Sequence, residues 1–463
     1  MRDERVAPKG WPKDQRSRRS GKVGRWHDDW VDRSKKLAKF RSQGRRAGSD
    51  YNLHHVDIEA PLGAIMDFDR RVREIDGRDP DRGRHLPEPD TFERTQGALF
   101  GAVIGDAFGR AVDSGATVEL PWSPDLNLRG DKALTEYVLP EGSTFGPSAV
   151  GQQLAFTLEG VIRSYLAFRT KKEFGTAPSA MQHAYQRWLY TQPASDGQRR
   201  RWQDCGGPYA SGPEPDGWLV GIEGLYRDGA PNPGTVATLE EFARTGRRAS
   251  LNDMCGRARG SDVVARAAAV AISVAEPAAA FEAAVMTAVL THSSADDYLA
   301  AGTLAVILHQ QIRDVPFYDC LTAAREQLEG WRGNKRMLRK IELALAMIRN
   351  HWTPTDRERI RPPFGNGGDD GAEALGLALY CAMASDYVRE ALLLAMNYSA
   401  HRPAVGAITG MLIGAECGVR TIPPDLQAAV PFTETIDVLV RDVLVERTTE
   451  PTDQEWLRRY PAW

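Results

Sequence analysis

From about residue 93 onward, apolar residues recur at three- and four-residue spacing rather than alternating, which is the period of helices packed on one face. Val263–Val274, Pro277–Thr291, Asp297–Gln311, Met337–Asn350 and Ala372–Met383 all carry this pattern in Ala- and Leu-rich sequence. Pro277 stands at the tolerated first position of its helix. The pattern predicts an all-α domain. Two segments carry glycine at every fourth position: Gly97, Gly101, Gly105 and Gly109 in one, and Gly406, Gly410, Gly414 and Gly418 in the other. A helical glycine costs about 1 kcal/mol relative to alanine, so four in register need a compensating contact. A glycine row along one ridge lets a neighbouring backbone come closer than the usual distance of about 8–10 Å. Each of these helices is therefore expected to cross a partner tightly at the centre of the domain. Asp106, Arg110 and Asp113 interrupt the first segment and Glu416 the second, and the remaining apolar runs are too short to span a membrane.

The chain of 463 residues suits one large helical domain, expected over residues 91–463, preceded by an extension and linker over residues 1–90. A net charge of −3 shows no overall bias toward polyanions, but it hides an asymmetry. Residues 1–50 hold 16 Lys or Arg against 7 Asp or Glu, which leaves the remainder at −12. This arm also contains Trp11, Trp26 and Trp30. A basic stretch with interleaved aromatics can contact phosphates and stack on bases, so nucleic acid is one candidate partner. The alternative is an arm that docks on a protein surface, since Trp26 and Trp30 would share one face of a helix. The Pro/Asp/Arg-rich stretch 79–84 reads as a linker. Five scattered cysteines without C-x-x-C spacing indicate neither a disulfide framework nor zinc, and reduced thiols fit a cytoplasmic protein. No apolar run follows the first residues, so no export signal is expected.

The first glycine segment, Gly97-Ala-Leu-Phe-Gly-Ala-Val-Ile-Gly-Asp-Ala-Phe-Gly109, resembles the opening helix of the ADP-ribosylglycohydrolases. Asp216-Gly-Trp-Leu219, the Arg227-to-Gly234 turn, Leu251-Asn252-Asp253, Leu290-Thr-His292, Glu373-Ala-Leu375, Asn397-Tyr-Ser399 and Gly406-Ala-Ile-Thr-Gly410 follow in that family's order. The resemblance covers roughly residues 93 to 445. It implies hydrolysis of the bond between ADP-ribose and a modified side chain, with two magnesium ions held mostly by aspartates. One implied ligand cluster, Thr-Asp-Asp-Thr, falls on Ser148, Ala149, Val150 and Gly151, a few residues before Phe156-Thr-Leu-Glu-Gly160. The other, Gly-Asp-Ser-Asp-Ser-Thr, falls on Ala400–Val405, where His401 and Pro403 replace the aspartates and Val405 replaces the threonine. No Asp or Glu lies between Gly142 and Thr157 or between Tyr398 and Met411, so shifting the alignment restores none. Magnesium needs oxygen ligands, and these positions supply a single hydroxyl beside the fixed positive charge of Arg402. The magnesium pair is therefore expected to be absent, and with it any bound metal.

Other polar positions still match the resemblance. Asp113, Glu159, His292 and His401 are the candidates for acid–base work, and Asp113, Asn252, Asn397, His401 and Arg402 for ligand binding. Asp113 would equally serve as a helix-end acid, His292 as a helix C-cap and Asn397 as a turn residue. Arg402 would either clamp a phosphate where the cations used to be or pair with Asp113 and plug the cleft. The glycine-rich turn Gly365–Gly368 would cradle a diphosphate only against the charges of Asp369 and Asp370, which cap the helix behind it. The expectation is a noncatalytic protein of this fold that binds a protein partner, or else ADP-ribose or an ADP-ribosylated protein. Alternatives are a hydrolase with a rewired, metal-independent site and a scaffold whose basic arm contacts nucleic acid.

Overall fold

A computed structural model describes residues 89–115, 138–171, 177–350, 360, 362–365, 367–385 and 388–461. The basic arm with its three tryptophans and the stretch 79–84 lie outside the described residues. In chain order the helices are α1 (Thr91–Asp113), α2 (Ala149–Lys171), α3 (Ala177–Thr191), α4 (Trp202–Cys205), α5 (Pro233–Thr245), α6 (Val263–Ala268), α7 (Pro277–Ala288) and α8 (Ala295–Gln311). They continue as α9 (Phe317–Glu329), α10 (Lys335–Asn350), α11 (Gly371–Ala384), α12 (Val388–Tyr398), α13 (Arg402–Cys417), α14 (Pro424–Ala429), α15 (Phe432–Thr449) and α16 (Gln454–Arg459). Among the described residues there is no β-sheet, only isolated bridges. The fold is all-α. No described helix is long and apolar enough to cross a membrane.

The two glycine rows find each other. Helix α1 is locked at its start by a capping box, in which Asp90 accepts from the Glu93 amide and the Glu93 carboxylate accepts from the Asp90 amide. It is buried almost throughout and runs antiparallel to α13. A methyl group built on Gly97, Gly101 or Gly105 would land on the carbonyl oxygen of Gly414, Gly410 or Gly406 respectively, and the reverse substitutions meet the same partners. Gly109 lies against the backbone of Arg402, where an added Cβ would come within 2.5 Å of a carbonyl carbon. Backbone thus touches backbone over several turns, as the fourfold spacing requires. Gly418 departs from the expected row. It ends α13 as its C-cap with φ +77, and an added Cβ there would meet Pro89 first, while its own backbone still lies against Gly97.

The predicted helices all form, with small boundary shifts. The largest is at Val263–Val274, where the α-helix stops at Ala268 and a 3-10 turn, Ala269–Ser273, continues it. Helices α11, α12 and α8 pack on the α1–α13 pair with buried faces that are mainly Ala and Leu. Four of the five cysteines are buried and Cys255 is partly so.

Candidate functional site

At one end of the α1–α13 seam lies an open cleft of about 520 Å³. Its walls are the last turn of α1 (Arg110, Asp113), the start of α2 (Ser148–Val150), the loop around Asn232, the segment Arg259–Asp262, Asp369, and the start of α13 with Ala400 and His401. The two segments that the resemblance assigns to metal ligands therefore face one cavity, 250 residues apart in sequence. A second groove of about 690 Å³ runs along α10, lined by Arg336, Arg339, Lys340 and Glu373, and contains none of the candidate ligand positions.

The segment Ser148–Gly151 is the first turn of α2, and its amides are occupied by a buried carboxylate. Asp106 Oδ2 accepts from the Ser148 amide at 2.8 Å and the Gly151 amide at 3.2 Å, while the Ser148 hydroxyl donates to Oδ1. A helix N-terminus is a natural seat for negative charge, and here the chain supplies its own. Gly151 is glycine for this reason, since a Cβ would collide with Asp106 Oδ2. Burial pushes the Asp106 carboxyl up to about 7 against the pull of these donors. Asp106 was not singled out from the sequence. The available signal was one carboxylate among Ile104, Ala107 and Phe108 on a glycine ridge, a face with no water to solvate it.

The second segment begins α13. His401 is its N-cap, Arg402 its first residue and Pro403 its second, a place where the missing amide costs nothing. Arg402 donates from Nη1 to Asp113 Oδ1 at 2.6 Å and from Nε to the Met396 carbonyl at 2.8 Å. Of the two roles expected for Arg402, the geometry is that of the ion pair with Asp113. His401 Nε2 lies 3.3 Å from Asp369 Oδ1, so Asp369 turns to His401 while Asp370 alone caps α11 through the Glu373 amide. Val405 is buried against Gly368, and the Gly367 carbonyl accepts from the Ser399 hydroxyl and the Ala400 amide. That glycine turn is thereby fastened to the start of α13.

The remaining candidates fall outside the cleft or behind its wall. Glu159 sits ten residues beyond Ala149 in α2, fully buried, with Arg187 donating to its Oε2 at 2.6 Å. Asn397 lies within α12 and donates to the Leu393 carbonyl, so it is neither a turn residue nor a cleft residue. Asn252 is exposed and does not line the cleft. His292 caps no helix with its side chain. It is buried behind Asp262, with Nδ1 at 2.9 Å from the Thr291 hydroxyl and Nε2 at 3.2 Å from Asp262 Oδ1. Arg266 donates to the Thr291 oxygen at 2.7 Å, so the threonine's own proton is directed to Nδ1 and His292 presents Nε2–H to Asp262. Asn232 donates to the same carboxylate oxygen at 2.8 Å. Burial opposes ionisation of Asp262, but His292, its hydrogen bond, Arg266 and Asn232 outweigh it and hold the carboxyl down at about 2. Asp262 was not singled out from the sequence.

Against a pair of magnesium ions, the donor set does not fit. The lining offers the Ser148 hydroxyl, which is spent on Asp106, and carboxylates that already face Arg402, His292 and His401. Among the described residues no three His, Cys, Asp or Glu side chains are grouped as a metal site would require.

A family model described as ADP-ribosylglycohydrolase matches residues 87–453. The chain belongs to the ADP-ribosylglycohydrolase family. A solved structure titled "ADP-ribosylglycohydrolase-related protein complex" is similar at 19% identity and a TM-score of 0.47, covering 76% of this chain and 98% of that one. No curated protein matches the sequence. The match spans both segments to which the resemblance assigns metal ligands, and neither segment contains a carboxylate.

Proposed function

We propose that this protein is a noncatalytic member of the ADP-ribosylglycohydrolase family that acts by binding, either a protein partner or a ligand held in the cleft, without a magnesium pair. The observation that carries the reading is the Arg402–Asp113 ion pair, set between two segments that have no carboxylate of their own. A guanidinium repels a dication and cannot lose its charge. Of the acid–base candidates, Glu159 is remote and paired, Asp113 is paired and His292 is shielded by Asp262, which leaves His401, facing Asp369, as the one that stays in the cleft.

Calorimetric titration with magnesium and with manganese tests the proposal. We expect no tight site in the wild type, and no release of ADP-ribose from ADP-ribosylated protein side chains in the presence of either ion. Two bound ions per chain, or ion-dependent hydrolysis, would overturn the reading.

A further inference from the structure

We propose that the cleft recognises an uncharged, hydroxyl-bearing ligand through Asp262, and that it discriminates against phosphates. This rests on the reading that the cleft binds without metal. Asp262 stands at the N-cap of α6, where an aspartate ordinarily bonds the first amides of its helix, yet it makes no such bond. Its side chain turns instead toward His292 and Asn232, and both donate to Oδ1. Among the described residues Oδ2 has no hydrogen-bond donor, and the residue lines the cleft. The result is a carboxylate fixed in rotation by two donors, ionised throughout the physiological range, with its second oxygen turned over to whatever occupies the cavity. Such an oxygen takes a hydroxyl or N–H donor, and it repels an anion.

The surrounding charges point the same way. Three carboxylates line the cleft, Asp113 paired with Arg402, Asp369 facing His401, and Asp262, which faces only the His292 ring and the Asn232 amide and is the one with no cationic side chain paired to it, beside two guanidinium groups, Arg110 and Arg259. Several anion-seeking features are already served from within the chain, the α2 amides by Asp106, Arg402 by Asp113 and His401 by Asp369, while Arg110 and Arg259 remain as the guanidinium groups of the lining. A diphosphate entering here would lie beside the Asp262 carboxylate, whose second oxygen repels it, with Arg110 and Arg259 as the only guanidinium groups of the described lining to offset that. A neutral sugar-like group meets none of that penalty and brings the donors that Oδ2 lacks.

The test is calorimetric titration of the full chain with adenosine, as a neutral diol-bearing probe, and with ADP-ribose, as its diphosphate counterpart. Adenosine is expected to bind at least as tightly as ADP-ribose, with an affinity that stays constant between about 0.05 and 0.5 M salt, a range over which screening collapses phosphate contacts. Asp262→Asn keeps the shape, removes the charge, and is expected to weaken adenosine by tenfold or more. Absence of adenosine binding, retention of affinity in Asp262→Asn, or tenfold tighter and salt-sensitive binding of ADP-ribose would each overturn the proposal. If Asp262→Asn fails to fold, the ligand and salt comparisons on wild type decide alone. Magnesium titration of the same samples keeps failure of this inference separate from failure of the noncatalytic reading.

Discussion

Arg402 and Asp113 each carry the wrong charge for their place in a helix, and this makes their pairing measurable. Arg402 is the first residue of α13, at the positive end of the helix dipole, and Asp113 is the last residue of α1, at a negative end. Each misplaced charge costs about 0.3–1 kcal/mol alone. Because the two helices run antiparallel, these ends meet and the charges stand 2.6 Å apart. At an effective dielectric of about 20, attraction at that distance is about 6 kcal/mol before desolvation and side-chain ordering are subtracted. The side chains are 23% and 30% exposed, so solvent screens the pair and a net coupling of about 1–2 kcal/mol is the working figure. Arg402→Ala also loses the bond to the Met396 carbonyl, worth about 1 kcal/mol. We therefore expect Arg402→Ala to destabilise by about 1.5–3 kcal/mol and Asp113→Ala by about 1 kcal/mol. The double variant should be no less stable than Arg402→Ala alone, since removing the second misplaced charge has no partner left to strand. Denaturant melts of the four proteins at low and high salt supply the cycle. Single neutralisations that stabilise the protein would show that the dipole penalties win and the pair is incidental. Strictly additive losses would remove the coupling altogether.

Two further outcomes follow from the geometry. Gly410→Ala should destabilise by about 3 kcal/mol or more, although helix propensity alone predicts a gain of about 1 kcal/mol, because the methyl meets the Gly101 carbonyl and backbone cannot yield as a side chain does. Gly224→Ala, where an added Cβ meets nothing within 4 Å, is the control and should be near neutral; equal effects at the two sites would refute the close-approach argument. Asp106 has a folded pKa raised to about 7 from 3.8, so the stability it contributes is fully present below about pH 4 and is lost as pH rises through 7. Melting temperature should accordingly fall between about pH 4 and 7, and Asp106→Asn should flatten that slope while lowering stability overall, since an amide has one accepting oxygen where the carboxylate has two. An unchanged slope in the variant would assign the pH dependence to other groups.

What was legible in the sequence was local in origin. Helical period, prolines at first turns and glycine at fourfold spacing are properties of neighbouring residues, and they lead to the all-α domain and to a close-packed pair of ridges. Missing carboxylates at 148–151 and 400–405 were legible too, because absence from a short segment can be read directly. Which surfaces meet is a different matter. That the two glycine rows pack on each other, that Asp106 reaches across to the α2 amides, and that Asp262 forgoes its helix for His292 all depend on contacts between residues 30 to 317 positions apart. Arg402 illustrates the boundary: the sequence reduced it to a phosphate clamp or a partner of Asp113, and only the register of α1 against α13 distinguishes them.

The glycine seam gives positions remote from any ligand control over the cleft. With backbone against backbone, α1 and α13 behave as one strut, and the strut carries Asp113 and Arg402 at its end while Arg110 and His401 flank them. A substitution at Gly97 or Gly414, several turns away, would spread the helices and displace that whole wall as a lever does. The opposite wall, built from Asn232, Arg259 and Asp262, belongs to loops and would not follow. Loss of binding from seam variants would therefore appear with every cleft side chain intact, as a change in the width of the opening rather than in its chemistry.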